Sequence, residues 1–488
     1  MVLFNTPDPR YRASDTVPGD PLRIEARFDP VRPPNPPPPQ RTKSRPRFLP
    51  RPLARRLQQS LHLQKILANT GWLFANKILR LVLGVTVGAW VARYLGPGRY
   101  GELAYVLALV ALMEAAAKLG LDQLLVRDIT KNRSAAPQIL GTAFRLRLVT
   151  GVFLWLGTVA TIAISQRGDT TSLLLAILLA ATIPLESTDI IDIWFQSQTQ
   201  SKRTVLAKSV AHITASLAKI ALILMNASLV LLAVAWPIEA LLGALALAVA
   251  YAKYRAPKRW QWSSTHARSL LHESWPWLVS GISVAIYMRI DQVMLRAIAG
   301  EQAVGLYSAA IMPSEAWYFI PSAVLVSAAP TITRKKSESE SDYLDALKVL
   351  FSTMWAIAIP LAVTITLSAG WIIDLLYGAA YAQSATVLSI HVFAVIPVFL
   401  GVASTAWLIN ERRGHLVLMQ TLLGAATNVS LNLFLIPRYG PAGAATATVV
   451  SQFLAAIVLN LFLAPRLFAL QFASLAHIPK LIFGANRI

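Results

Sequence analysis

Ionisable side chains lie inside the most apolar segments of this chain, where charged groups are rarely found without a role. The bases are Arg80, Lys208, His212, Lys219 and Arg289, and the acids are Glu186, Asp189, Asp192, Asp291 and Glu315. A charged group at the centre of a bilayer costs about 2.5–3.5 kcal/mol to insert, so it normally faces the interior of a helix bundle or a water-filled cavity. These residues therefore predict a polar site enclosed by apolar helices.

The bases have the chemistry to bind an anion. At 100° per residue, Lys208, His212 and Lys219 fall within about 40° of one another on a helix, so they form one basic stripe. Arg289 lies roughly 21 Å along its apolar segment, too deep for its side chain to reach the membrane surface easily. Because arginine suits the bidentate geometry of phosphate, we predict that these bases and Arg80 bind a phosphorylated substrate, with a pyrophosphate group as the expected anion.

The acids allow two interpretations. Glu186, Asp189 and Asp192 are spaced i, i+3, i+6, so they could either pair with the bases or bind a coupling ion, Na⁺ or H⁺. Pairing is favoured because buried charges usually find partners. Asp291 and Glu315 are the other coupling-ion candidates. The chain has no cysteine, which excludes thiolate metal sites, and we expect no metal or other cofactor.

Four further charged residues have local explanations. Glu114 and Lys118 are spaced i, i+4 and could neutralise each other or bind substrate. Arg145 and Arg147, like Lys208 of the basic stripe, lie within about two turns of the predicted cytoplasmic surface, where snorkelling of the side chain into the headgroup region is favoured.

The elements that carry these residues must be membrane helices. The chain has 488 residues, 55% of them hydrophobic and 14% charged, against about 25% charged in a soluble domain, and its mean hydropathy is +0.53. Apolar windows of about 20 residues predict an all-α integral membrane protein of about twelve transmembrane helices. The predicted spans are 71–93, 102–124, 140–164, 172–195, 205–225, 228–252, 275–298, 304–330, 347–369, 384–409, 415–436 and 442–464.

Loop charge predicts the orientation. The even-numbered loops hold sixteen basic residues, whereas the odd-numbered loops hold four, namely Arg93, Arg99, Arg167 and Arg438. By the positive-inside rule, the even loops and both termini face the cytoplasm. The sixteen are Arg127, Lys131, Arg133, Lys202, Arg203, Lys253, Arg255, Lys258, Arg259, Arg268, Arg334, Lys335, Lys336, Lys348, Arg412 and Arg413.

An internal repeat divides the chain. Gly96 and Gly101 recur as Gly300 and Gly305, which is an offset of 204 in both cases (300 minus 96, 305 minus 101). This repeat predicts two parallel six-helix halves, 70–252 and 275–464, around a central cavity, joined by a basic cytoplasmic linker, 253–274. A chance match between glycine-rich turns is the alternative.

The terminal segments are basic. Residues 1–69 are rich in proline and arginine and predict a disordered cytoplasmic tail that lies on anionic membrane lipids. Residues 465–488 form a second, partly amphipathic cytoplasmic tail. The formal net charge of +21 is concentrated in the tails and alternate loops, with no aromatic and basic soluble domain, so no nucleic-acid partner is expected.

Three stretches carry a family resemblance. They are VARYLGPGRYGELAYVLALV from Val91 with LGLDQLLVRD from Leu119, IYMRIDQVMLRAIAGEQAVGLYSAA from Ile286, and LYGAAYAQSATVL from Leu376, with YGPAGAATATVVS from Tyr439 as a weaker match. In this order the chain resembles the polysaccharide-transport family of Wzx-type oligosaccharide flippases, within the superfamily that also holds the multidrug and toxic-compound extrusion antiporters. The resemblance covers about 71–464.

The resemblance implies a function. Such a flippase would move a polyprenyl-diphosphate-linked oligosaccharide across the bacterial inner membrane by alternating access, for polysaccharide or O-antigen biosynthesis, with polysaccharide polymerase machinery as a partner. Its cavity is expected to be lined with cations near the diphosphate. Of the predicted site residues, Arg289 and Asp291 lie inside a matched stretch, whereas Arg80 and Lys219 do not.

Two other functions stay open at this point. A cation-coupled multidrug or metabolite antiporter of the same superfamily would need an acid-dominated cavity, which the basic residues argue against. A membrane-embedded polymerase or ligase would need catalytic carboxylates or a histidine at an accessible surface, and the predicted outward loops are short and contain no histidine. We therefore expect a transporter that is not an enzyme.

Overall fold

The computed structural model describes residues 61–478 except 167, 255 and 258, with side chains from residue 71 onward. The predicted tail up to residue 60, residues 479–488 and the loop residues Arg167, Arg255 and Lys258 lie outside the described residues. All regular secondary structure in the described part is helical. The α-helices are α1 (Leu61–Ala117), α2 (Asp122–Lys131), α3 (Ala136–Ser165), α4 (Thr170–Ala180), α5 (Thr182–Leu185), α6 (Ile190–Ser197), α7 (Ser201–Leu224), α8 (Leu229–Ala233), α9 (Ala235–Ala252), α10 (Ser264–Glu315), α11 (Phe319–Glu338), α12 (Glu340–Tyr377), α13 (Ser384–His391), α14 (Val395–Asn410), α15 (Gly414–Phe453), α16 (Leu459–Leu463) and α17 (Pro465–Ala473).

Short 3₁₀ helices and one π-helix join several of these α-helices. They are 3₁₀ turns at Arg133–Ala135, Glu186–Asp189, Ala379–Tyr381, Val392–Ala394 and Ser474–His477, and a π-helix at Leu454–Val458. The predicted fourth span is divided in this way, because α4, α5, the Glu186–Asp189 turn and α6 follow one another along it. Pro184 lies at this break, and because proline has no backbone N–H, it cannot donate the hydrogen bond that would continue the helix.

Polar side chains fix where several helices begin. The Asp169 carboxylate accepts hydrogen bonds from the backbone amides of Thr171 and Ser172, at 3.0 and 3.2 Å, and caps α4. Ser263 accepts one from the amide of His266 and caps α10. Such caps satisfy amides that have no partner inside the helix, and each typically contributes about 1 kcal/mol.

Three long helices contain a sharp reversal at a glycine. Gly96 in α1, Gly300 in α10 and Gly440 in α15 all have positive φ, a conformation that glycine adopts without steric cost. In α10, the Gln292 amide donates to the Ser308 hydroxyl at 2.9 Å, although sixteen residues of straight helix would separate them by about 24 Å. The chain therefore turns back on itself at Gly300.

The other two glycines act in the same way. Arg80 and Glu114 lie on opposite sides of Gly96 and line the same cavity, and the Asn428 amide donates to Thr448 Oγ1 across Gly440. Nine helical stretches of the described residues are long and apolar enough to span a membrane. Three of these stretches contain a glycine reversal, and each reversal lies between two of the spans predicted from the sequence. The total of twelve transmembrane helices stays a prediction.

The surface of the described part is apolar, as a bilayer requires. Side chains such as Phe153, Leu367 and Phe462 are 74%, 83% and 74% exposed. Soluble monomers rarely expose contiguous apolar patches larger than a few hundred Å², whereas helices in lipid do so because their backbone groups are satisfied internally.

The turn that contains Gly101 contacts the turn that contains Gly305, its counterpart in the internal repeat. A Cβ atom on Gly101 would overlap the carbonyl oxygen of Glu301, and a Cβ on Gly305 would overlap the carbonyl oxygen of Pro97. Pro97 and Glu301 are also 204 residues apart (301 minus 97), so the contact is self-complementary, as at a two-fold axis. The repeat seen in the sequence is thus a structural repeat, and α1 packs most extensively against α10.

The segments at the ends of the halves are packed against the bundle. Helix α1 begins at Leu61, inside the predicted tail, and α10 begins at Ser264, inside the predicted linker. In the linker, the Gln261 amide donates to the Pro137 carbonyl at 3.0 Å. In the predicted C-terminal tail, α17 lies against α12, where the Trp355 indole donates to the Gln471 carbonyl at 2.9 Å.

Candidate functional site

A cavity of about 660 Å³ lies between the two halves. Helices α1, α7 and α9 and the segment around α5 line it from the N-terminal half, and α10 lines it from the C-terminal half. Of the predicted site residues, eight line this cavity: Arg80, Lys208, His212, Lys219, Arg289, Glu186, Asp189 and Glu315. The polar site that the sequence predicts is therefore a single space between the halves.

Three of the bases converge on one carboxylate that the sequence analysis did not select. Glu239 of α9 contacts Arg80 Nη2 at 3.2 Å and His212 Nδ1 at 2.7 Å through Oε1, and Lys219 Nζ at 3.6 Å through Oε2. The Lys219 ammonium also lies over the Trp236 ring, 3.9 Å from its centroid. A cation in this position gains further attraction from the ring. This group, Arg80, His212, Lys219 and Glu239, is called the basic cluster below.

A second charged group, the acidic cluster, lies nearer the Ser201 end of α7. Its Glu114, Glu186, Asp189 and Lys208 side chains line the cavity, whereas Asp192 and Lys118 are not among the described lining residues. Lys208 Nζ lies 2.9 Å from Asp189 and 3.0 Å from Asp192. Eleven residues separate Lys208 from Lys219, or about 16 Å along the helix axis. The acidic cluster consists of Lys208, Asp189 and Asp192 with Glu186, Lys118 and Glu114.

Contacts in and beside the acidic cluster correct two local expectations. Lys118 pairs with Glu186 at 3.6 Å, and the Glu114 carboxylate accepts a hydrogen bond from Thr182 at 3.2 Å. Packing thus brings the Glu186 carboxylate closer to Lys118 than that of its i, i+4 neighbour Glu114. Arg147 does not extend to the surface: its side chain is buried and donates to Asp122 at 2.7 Å.

The C-terminal half contributes one ion pair to the cavity. Arg289 Nη2 lies 3.2 Å from the Glu315 carboxylate, and the two residues face each other across the reversal at Gly300. Both side chains line the cavity, together with Gln292. Arg289 is the deep arginine that the sequence analysis selected, and it faces the same space as Lys219.

Asp291 lies outside the cavity lining, in a buried polar network. Its carboxylate accepts hydrogen bonds from Tyr307 Oη at 2.5 Å, Asn432 Nδ2 at 2.5 Å and the Thr448 hydroxyl. The side-chain oxygen of Asn432 is buried without a hydrogen-bond partner. Among the described residues Asp291 forms no ion pair with a lysine or arginine. Two residues along a helix differ by about 200°, so Arg289 and Asp291 face opposite directions.

The cavity is not dominated by cations, which corrects the expectation drawn from the family resemblance. Among the described lining residues there are four lysine and arginine side chains, one histidine and five carboxylates. The physical reason is that charges removed from water require partners, and each base has one. The favoured interpretation of the Glu186, Asp189 and Asp192 stripe, pairing with bases, agrees with the contacts described above.

Sequence reasoning missed the carboxylate at the centre of the basic cluster. Glu239 was visible as an acid in an apolar segment beside Pro237. The available signal was the basic stripe of α7, because several buried bases require an anion from a neighbouring helix. Which helix would supply it depends on packing that the sequence does not encode locally.

The chain is similar in sequence to one protein family and in fold to solved transporter structures. Residues 66–334, slightly more than half of the chain, match the family described as polysaccharide biosynthesis protein. Comparison with curated proteins gives no match. The fold is similar to that of an inward-facing multidrug resistance MATE family transporter of the MOP superfamily, at 18% identity and a TM-score of 0.61, covering 81% of this chain and 96% of that chain.

Two further solved structures share the fold. One is the lipid II flippase MurJ in an inward closed conformation, at 16% identity and a TM-score of 0.62, covering 86% of this chain and 93% of that chain. The other is an outward-facing MATE family transporter, at 16% identity and a TM-score of 0.54, covering 84% and 96%. At this coverage the similarity in fold extends over both halves.

Proposed function

The chain belongs to the polysaccharide biosynthesis protein family, and from this premise we propose that it moves a polyprenyl-diphosphate-linked oligosaccharide across the membrane by alternating access. Its fold is that of MOP superfamily transporters. Transport, rather than catalysis, is proposed because the charged residues line a space between two halves. Membrane lipids and the machinery that polymerises the saccharide are the proposed partners.

One observation carries the substrate class: basic groups from both halves face one cavity. The basic cluster places an arginine, a lysine and a histidine around one carboxylate, so its bases outnumber its acids. Arg289 supplies a further guanidinium from the opposite half. A diphosphate between them would contact both halves, and arginine and lysine bind phosphate oxygens by charge-assisted hydrogen bonds.

Arg289→Ala tests this assignment. We expect flipping of a lipid-linked oligosaccharide in proteoliposomes to fall at least about tenfold, since one charge-assisted hydrogen bond contributes about 1.5–3 kcal/mol. The matched control is Arg145→Ala, because Arg145 lies over the Trp262 ring, outside the cavity lining. Full activity of Arg289→Ala in membranes with normal protein levels would remove Arg289 from the substrate site.

Asp291 is the proposed site of the coupling ion, Na⁺ or H⁺. Glu186, Asp189, Asp192 and Glu315 are all paired with bases, whereas the Asp291 network supplies oxygen atoms and contains the unpartnered oxygen of Asn432. Hard cations prefer such oxygen ligands. Asp291→Asn should abolish the dependence of flipping on a Na⁺ or proton gradient, and Asp374→Asn, an exposed position, should leave it intact. An unchanged gradient dependence in Asp291→Asn would place the coupling site elsewhere.

The acid-rich part of the cavity favours a second candidate function, the cation-coupled antiporter. The lining holds five carboxylates, and an organic cation could bind near Glu186 and Asp189. Counterflow of a fluorescent organic cation in proteoliposomes distinguishes the two functions. Cation transport that a diphosphate lipid does not inhibit would support the antiporter.

We also propose a bacterial inner-membrane location with both termini in the cytoplasm. Because the chain has no cysteine, single cysteines introduced in the Arg127 and Arg438 loops can be labelled in intact cells with an impermeant maleimide. Labelling at Arg438→Cys but not at Arg127→Cys is expected. The opposite pattern would invert the topology.

A further inference from the structure

We propose that Glu239 is a resident anion, which the phosphate of the substrate displaces when it enters the cavity and which returns when the substrate leaves. This inference rests on the proposed function and concerns a residue that the family resemblance did not select. The carboxylate occupies the point where Arg80, His212 and Lys219 converge, so it fills the position that a phosphate oxygen would take.

The contacts of Glu239 are those of an anion site. Both carboxylate oxygens are used, one by Arg80 and His212 and the other by Lys219. Carboxylate and phosphate bind guanidinium and ammonium groups through the same charge-assisted hydrogen bonds. A phosphate could therefore take the place of the carboxylate among the same three bases.

The charge balance favours displacement by a more highly charged anion. Arg80 and Lys219 give two positive charges against the single negative charge of Glu239, before any charge on His212. A phosphate carries three acceptor oxygens and would satisfy the bases more completely than one carboxylate. The Nε2 atom of His212 is also buried without a hydrogen-bond partner, so the cluster contains a group that its present anion does not use.

Lys219 has a contact that does not depend on Glu239. Lys219 lies over the Trp236 ring at 3.9 Å, a contact that persists when the carboxylate leaves. His212 and Lys219 both belong to α7, whereas Glu239 belongs to α9. Trp236 also belongs to α9, so movement of the Glu239 side chain, with α9 in place, separates the anion from the bases and keeps the contact between Lys219 and Trp236.

The helical backbone is interrupted shortly before Glu239. The helical segment Leu229–Ala233 ends at Val234, and α9 begins at Ala235 with Pro237 two residues before Glu239. Proline lacks the amide that would tie this turn to the preceding one. Glu239 thus lies about one turn from a discontinuity in the helix.

A displaceable anion solves a problem of release. Bases that bind a diphosphate tightly on one side of the membrane must give it up on the other, and tight binding of the ground state slows that step. A carboxylate that competes for the same bases lowers the affinity in both states and neutralises the bases once the substrate has left. Glu239 would therefore increase turnover at the cost of affinity.

The test compares Glu239→Gln with Glu114→Gln in the full-length protein in detergent. Each variant removes one carboxylate from the same cavity with little change in size, but Glu114 contacts Thr182 and not the basic cluster. The probes are farnesyl diphosphate, a short polyprenyl diphosphate, and inorganic pyrophosphate. Glu239→Gln should bind farnesyl diphosphate at least about tenfold more tightly than the wild type, whereas Glu114→Gln should change the affinity less than about twofold.

The outcomes separate the inference from the proposed function. Tighter binding by Glu239→Gln, together with slower flipping in proteoliposomes, supports displacement, and tightening for pyrophosphate alone would identify a free anion as the ligand in place of the lipid headgroup. Equal affinity in the wild type and Glu239→Gln, or equal tightening by both variants, overturns displacement while a diphosphate substrate stands. If no variant and no wild-type protein binds either probe, the diphosphate substrate class fails, and the inference with it.

Discussion

Lys208→Met tests whether a predicted substrate-binding base is instead structural. Lys208 is the only base in contact with Asp189 and Asp192 among the described residues, at 2.9 and 3.0 Å. Its side chain is 21% exposed, and those of the two carboxylates are 34% and 18% exposed. Methionine keeps the length and apolar stem, so the substitution removes the charge and little packing.

The expected loss in the free energy of unfolding depends on the two carboxylates that Lys208→Met leaves without a base. Removing one partner of a fully buried ion pair costs about 3–5 kcal/mol, because the other charge stays in a medium of low polarity. Asp189 is about one third exposed and is therefore partly screened by water, which reduces the expected loss to about 2–4 kcal/mol. In a chain of this size each kcal/mol lowers the melting temperature by only about one or two degrees, so a decrease of about 2–8 °C is expected.

The assay is thermal unfolding of purified protein in detergent, combined with flipping in proteoliposomes. The double variant Lys208→Met with Asp192→Asn should recover part of the loss, since one uncompensated charge is removed. Lys202→Met is the matched control, because Lys202 lies in the same helix over the Trp72 ring and forms no ion pair in the described part of the chain. A Lys208→Met protein with unchanged stability and abolished flipping would refute the structural interpretation and return Lys208 to the substrate site.

Two further predictions concern the turns and caps. Gly101→Ala should destabilise the conformation in which the Gly101 and Gly305 turns are in contact by about 1–3 kcal/mol, because the added methyl group overpacks the contact. The measurement is maleimide labelling of a cysteine placed at Val91, which should become faster. Gly98→Ala is the control and should not change the labelling rate, because a Cβ at Gly98 has nothing within 4 Å. Unchanged labelling would mean that the turns separate without strain. Hydrogen bonding by the Ser172 side chain and by two backbone amides lowers the pKa of Asp169, so its cap stabilises the protein above about pH 4 and is lost as the pH falls through the lowered pKa. The difference in stability between wild type and Asp169→Ala, about 1 kcal/mol at pH 7, should shrink in thermal unfolding at low pH, and a difference that is constant with pH would exclude the carboxylate as its source.

The sequence predicts the helices and the shared face of α7 well, and the partners of its charges poorly. Apolar length and helical periodicity are local properties, and Lys208, His212 and Lys219 do line one cavity. Pairing is not local: Lys118 meets Glu186 rather than the nearby Glu114. Helix geometry predicts that Arg289 and Asp291 face opposite directions. Which of the two faces the cavity depends on the packing of α10 against α1, which is not a local property of the sequence.

The distribution of ion pairs is itself an argument for movement between the halves. Among the described residues that line the cavity, every ion pair joins two residues of the same half: the basic cluster and the Lys208 pairs belong to the N-terminal half, and Arg289 with Glu315 to the C-terminal half. Breaking a buried ion pair costs about 3–5 kcal/mol, so pairs across the cavity would lock it. The halves instead meet through backbone at Gly101 and Gly305, where contacts form and separate without exposing an unpaired charge. Rotation of one half against the other would therefore open the opposite side of the cavity without breaking any of these ion pairs.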